Sequence, residues 1–133
     1  MANLFLDTHS LVWCLSSRAR LSAAATREID AAIAAGDALY VSSISFAEVL
    51  YLEEKTRLPS GSLDLVLREV RRSDSAFAEV PLVAEMVTEM RNVSRAIVPD
   101  LPDRIIAASS VFMGVPLVTA DSDIHRAGIP VIW

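Results

Sequence analysis

Four acidic residues stand where an α/β chain would bring carboxylates together: Asp7, Glu48, Asp103 and Asp121. Asp7 directly follows the apolar run Leu4-Phe5-Leu6, and Asp121 follows the run Pro116-Leu117-Val118-Thr119-Ala120. In an open parallel sheet, ligands bind outside the carboxyl ends of the strands. Carboxylates gathered there repel one another unless something positive lies between them. Hard divalent cations take oxygen ligands, so Mg²⁺ or Mn²⁺ is the expected filler.

Each acid also has an ordinary alternative. Asp is a good N-cap, so Asp7 can simply open a helix at Thr8 or Ser10. Ser45-Phe46-Ala47-Glu48 matches the S-x-x-E capping box. Yet the helical neighbours of Glu48 are Ile44, Tyr51 and Leu52, with no basic partner among them. An unpaired carboxylate on an apolar wall is costly unless it meets water, a proton or a metal. Asp103 falls in a first helical turn, where the helix dipole favours an acid. Asp100 is the expected cap there, which leaves Asp103 for another role. Asp121 can form an Asx turn, and Asp123 is close enough to replace or assist it. Thr119 can orient a ligating carboxylate or bound water, or can be an ordinary β-branched strand residue. His9 and His125 are too far apart for a spacing-based metal motif and read as surface or loop residues.

The elements that must position these acids follow from pattern. Short strands are expected at 3–6, 39–41, 77–80, 116–119 and 129–132, the last two joined by a polar stretch. Helices are expected at 8–16, from Ser22 to near Gly36, from Ser43 or Ser45 to about Arg57, at 62–72 capped by Ser60 or Ser62, at 82–95, and from Asp100 to Gly114. Val83, Met86, Val87 and Met90 carry the core-facing spacing of the helix at 82–95. Strands alternating with helices imply βαβ units and a parallel sheet, and continuous apolar strands imply that both its faces are covered. The expected fold is therefore α/β, one domain over 1–133, with about five parallel strands between two helical layers.

The chain has 133 residues, 53% of them hydrophobic, a composition that folds rather than stays disordered. A single cysteine, Cys14, excludes an internal disulfide framework and a multi-cysteine zinc site, and reads as a core residue. No uncharged run suits a membrane span, since the longest contains Gly114 and Pro116; a cytoplasmic protein is expected. The net charge of −5 argues against broad electrostatic affinity for nucleic acid. Arg68, Arg71 and Arg72 cluster either as a solvated helix face or as phosphate contacts.

At this point a family resemblance emerges. Leu4 to Trp13 resembles the opening of PIN domains, and Ser42 to Glu48 resembles their second acidic segment. Asp100 to Ala108 resembles the third, and Leu117 to Asp121 the fourth. The order, spacing and length are most similar to VapC toxins of bacterial toxin–antitoxin pairs. The resemblance implies a Mg²⁺- or Mn²⁺-dependent endoribonuclease acting on RNA. Asp7, Glu48, Asp103 and Asp121 would be its metal-binding and catalytic acids, Asp123 a possible substitute for Asp121, and Thr119 the hydroxyl lining the site. It also implies a small antitoxin partner and a homodimer. Ala47 and Pro102 stand where many relatives carry an aromatic residue, which bears on packing beside the site rather than on ligation. Two other readings stay open. A phosphoryl-handling α/β domain would want an Asp at position 9, where His stands, or a lysine after a late strand, whereas Lys55 lies on an expected helix. A non-catalytic interaction module would use exposed apolar helix faces.

Overall fold

The computed structural model describes residues 2–133. Five strands form one sheet: β1 (Leu4–Leu6), β2 (Leu39–Ser42), β3 (Phe77–Val80), β4 (Leu117–Val118) and β5 (Val131–Ile132). Their order is β3-β2-β1-β4-β5, and every pairing is parallel. β1 lies at the centre and all three of its residues are buried. Its period of two sends Leu4 and Leu6 to one face and Phe5 to the other. Accordingly, Leu4 and Leu6 join a core with Leu11, Ile29, Val49 and Val66. Phe5 joins a second core with Met86, Ile106, Leu117 and Ile124. The fold is the expected α/β arrangement, a parallel five-stranded sheet with a core on each face.

The helices that supply those cores are α1 (Thr8–Ser16), α2 (Ala23–Ala35), α3 (Ser43–Glu54), α4 (Ser62–Arg71), α5 (Ala84–Glu89), α6 (Leu101–Met113) and α7 (Ser122–Arg126). Short 3₁₀ turns follow at Arg18–Arg20 and Met90–Asn92. Because β1 leads into α1 and β2 into α3, the sheet's carboxyl edge is also a row of helix N-termini. Cys14 is buried in the first core. Arg72 pairs with Glu69 and Asp74, and Arg68 and Arg71 are exposed, so this cluster is a solvated face. Among the described residues, no helix is long and apolar enough to cross a membrane.

Several boundaries differ from the pattern. The helix expected at 82–95 is only α5 plus a 3₁₀ turn. Met86 and Met90 face the core, while Val83, the extended residue that precedes α5, and Val87 stay exposed. The helix expected to reach Arg57 stops at Glu54; Thr56 takes a left-handed φ of 56°, which no helix continues. Neither Ser60 nor Ser62 caps α4. Gly61 does, at φ 89°, a conformation that costs glycine little. The amide of Leu63 instead donates to Glu53 Oε1 at 2.9 Å. The polar stretch between the last two strands holds α7, too short for periodicity to reveal.

Candidate metal centre

Asp7 is fixed through both carboxylate oxygens. Oδ1 accepts from the Ser10 amide at 2.9 Å, capping α1, and Oδ2 accepts from the Thr119 hydroxyl at 2.6 Å. Asp7 is 4% exposed and Thr119 fully buried. The same Thr119 oxygen accepts from the Asp121 amide at 3.0 Å. One hydroxyl thereby ties the end of β1 to the segment after β4. Asp121 caps α7, its Oδ1 accepting from the amides of Asp123 and Ile124 at 2.8 and 3.2 Å.

Glu48 arrives differently from the capping-box expectation. β2 runs into α3 without a loop, so the cap falls on Ser42, whose hydroxyl accepts from the Ile44 amide at 3.2 Å. Ser45 is buried inside the helix and lies 2.9 Å from the Thr8 hydroxyl. Glu48 consequently sits well inside α3, where its Oε1 accepts from Thr8 at 2.5 Å. Burial raises its carboxyl above the usual range; the Thr8 bond opposes this, and the charges of Asp100 and Asp7 add to the rise.

Asp100 caps α6, accepting from the Asp103 amide at 3.1 Å. Asp103 is half-buried, and its carboxyl is pushed up to about 8. Burial is the chief cause, followed by the Asp100 charge, a hydrogen bond from the protonated group to Asp121, and the charges of Asp121 and Glu48. Glu48, Asp100 and Asp103 each offer an oxygen within 4.8 Å of the others. These three carboxylates and those of Asp7 and Asp121 line one cleft of about 450 Å³, with His9, Trp13 and Arg20 at its side. Among the described residues, none of the five acids belongs to an ion pair.

Residues 4–130 match the family model of the PIN domain. The chain belongs to the PIN-domain family. The same architecture recurs in solved structures of low identity. A chain of the VapBC2 complex from Rickettsia felis, bound to a promoter DNA fragment, superposes with a TM-score of 0.72 at 14% identity, covering 97% of this chain and 96% of that one. A chain of DNA-bound VapBC from Salmonella typhimurium gives 0.68 at 17% identity, covering 98% and 97%. A chain of a toxin–antitoxin complex from Klebsiella pneumoniae gives 0.65 at 23%, covering 98% and 96%. The comparison with curated proteins gives no match.

This PIN domain thus brings Asp7, Glu48, Asp103, Asp121 and Thr119 to one place. Asp123 lies apart from that lining: it is bonded to Arg126 on the outer side of α7. His125 is exposed, as expected of a surface residue, but it sits on α7 rather than in a loop, and its Nε2 lies 2.7 Å from the Thr119 carbonyl. His9 is exposed on the first turn of α1 and faces the cleft. Asp100 joins the cluster unforeseen as a site residue. A cap uses one carboxylate oxygen and leaves the other for the cleft, so the D-x-x-D spacing of Asp100 and Asp103 was the available signal. The donors are hard oxygens, crowded and, among the described residues, without an ion-pair partner, which suits a divalent cation.

Proposed function

We propose that this PIN domain is a Mg²⁺- or Mn²⁺-dependent endoribonuclease, the toxin of a VapBC-type pair working in the cytoplasm. The observation that carries this reading is the gathering of five carboxylates in one cleft, none with an ion-pair partner among the described residues, one of them pushed up to about 8. Asp7, Asp103 and Asp121 would mainly hold the cation, with Asp100 beside them, and Glu48 would hold a second ion or orient the attacking water. When bound, a divalent cation supplies a more acidic water and charge compensation at the scissile phosphate. Thr119 holds Asp7 in a single orientation. Thr8 occupies Glu48 Oε1, leaving Oε2 to orient the attacking water and accept its proton. As the water oxygen bonds to phosphorus, the bond from phosphorus to the leaving ribose oxygen would break, and that oxygen would take a proton from solvent.

A small antitoxin is the proposed protein partner, because the R. felis and S. typhimurium neighbours belong to VapBC assemblies. Exposed Leu50, Tyr51, Val83 and Val87 offer apolar surface for that partner or for a second copy in a homodimer. The nuclease reading is tested by incubating purified protein with structured RNA and Mg²⁺ or Mn²⁺, beside EDTA and an Asp7→Asn variant. Asn caps a helix as well as Asp does, so that variant keeps α1. Metal-dependent cleavage lost in both controls is expected. Cleavage that survives EDTA and the substitution would rule the reading out.

A further inference from the structure

A second hollow, of about 250 Å³, adjoins the acidic cleft and shares His9, Trp13 and Arg20 with it. Its chemistry is opposite. Arg57 joins those three residues over a floor that includes Leu52 and Leu58, and no carboxylate lines it. Arg20 lies over the Trp13 ring, 4.8 Å from its centroid. Trp13 is itself braced by His9 and by Trp133, with ring centroids at 5.6 and 5.8 Å. The stacking holds the guanidinium at the rim. Arg18, Arg72 and Arg126 are all spent on carboxylates, whereas neither Arg20 nor Arg57 belongs to an ion pair among the described residues.

A chain of net charge −5 that keeps two arginines, unpaired among the described residues, beside its acidic cleft is arranged for a ligand with successive anionic groups. A polynucleotide has that property, since one phosphate can meet the cation-filled cleft while its neighbour meets arginine. We propose that Arg20 and Arg57, with His9, form a subsite for the phosphate of the nucleotide next to the cleaved one, so that single-stranded RNA runs from this hollow into the acidic cleft. The planar guanidinium fork matches phosphate oxygens in pairs. Trp13 acts through Arg20 and is a positioning residue. The proposal deepens the nuclease reading and rests on it for the identity of the ligand.

The test is binding of a short, fluorescein-labelled single-stranded oligoribonucleotide to the full chain, with Ca²⁺ in place of Mg²⁺, read by anisotropy across a salt series. Arg20→Gln and Arg57→Gln should each weaken binding about tenfold, as expected for a lost charged hydrogen bond. Each should also flatten the slope of log K against log salt by about 0.7, the value for one single-strand phosphate contact. Arg91→Gln, on an exposed turn outside both hollows, should change neither. Gln keeps a stem to pack on Trp13; should Arg20→Gln melt early, Arg20→Lys decides, expected to restore the slope but only part of the affinity. Both tryptophans of the chain lie in this cluster, so RNA should also alter intrinsic emission. Wild-type affinity and slope in Arg20→Gln, no binding by the wild type, or binding that leaves the emission unmoved would each overturn the subsite. If Arg20→Gln binds RNA poorly but the wild type cleaves nothing with Mg²⁺ or Mn²⁺, the subsite stands and the nuclease reading fails. If Arg20→Gln cleaves with unchanged kcat and KM, the subsite alone fails.

Discussion

Thr119 carries the tightest geometric duty in the cleft. Its hydroxyl donates to Asp7 and accepts from the Asp121 amide, so both its proton and a lone pair are committed. Thr119→Val keeps the shape and removes both bonds. It strands a buried carboxylate oxygen and an amide, at a cost of about 1–3 kcal/mol. Thermal melts in EDTA should show a fall of several degrees for Thr119→Val and much less for Thr119→Ser, which keeps the hydroxyl. Equal melting of the valine variant and the wild type would mean that water replaces the hydroxyl without loss. The sequence offered the orienting of a ligating carboxylate or bound water as only one of two readings for this threonine. Its partner Asp7 lies 112 residues away, and no local pattern reports a contact of that separation.

The helix starts do more than cap. Asp7, Asp100 and Asp121 each give one oxygen to the opening amides of α1, α6 and α7 and still line the cleft. The capping reading and the functional reading of these acids are therefore not rivals. Each helix N-terminus also offers partial positive charge to its own acid. Asp100 separates the two roles experimentally. Asp100→Asn should keep α6 capped, leaving stability in EDTA near that of wild type, and should weaken Mg²⁺ binding by calorimetry. Asp100→Ala should weaken Mg²⁺ binding and lose about 1 kcal/mol of stability as well. Unchanged Mg²⁺ affinity in both variants would remove Asp100 from the cluster. At this scale the sequence was legible where elements are long or wholly apolar, as in β1, α2 and α6. It was not legible where a strand passes straight into a helix. There the cap moved to Ser42 and left Ser45, the apparent capping serine, buried against Thr8. α7 was hidden because five residues hold too little periodicity to read.

Across the whole molecule, the proposed metal site should make stability depend on pH and on cation together. The sheet order β3-β2-β1-β4-β5 sets the ends of β1 and β4 side by side, so acids from four distant stretches of chain meet only when the protein is folded. In the unfolded chain Asp103 titrates at its ordinary value of 3.8; in the cation-free fold it titrates at about 8. A group raised by folding contributes its stabilisation in full below the ordinary value and loses it as pH rises through the raised one. Cation-free protein should therefore weaken steadily from pH near 4 to pH near 8, as the proton shared with Asp121 departs. Asp103→Asn cannot lose that proton, so its melting temperature in EDTA should fall less over the same range and exceed that of wild type at about pH 9. On the proposed reading a divalent cation would take the place of the proton and bind only the folded state, stabilising it by mass action, about 2.7 kcal/mol at a hundredfold excess over Kd. The rise in melting temperature on adding Mg²⁺ should consequently be small at about pH 6 and large at about pH 9 in the wild type, and small throughout in Asp103→Asn. Melts of both proteins in Mg²⁺ and in EDTA across that range settle the matter. A Mg²⁺ increment in the wild type that stays constant with pH would mean that proton and cation do not compete for these carboxylates.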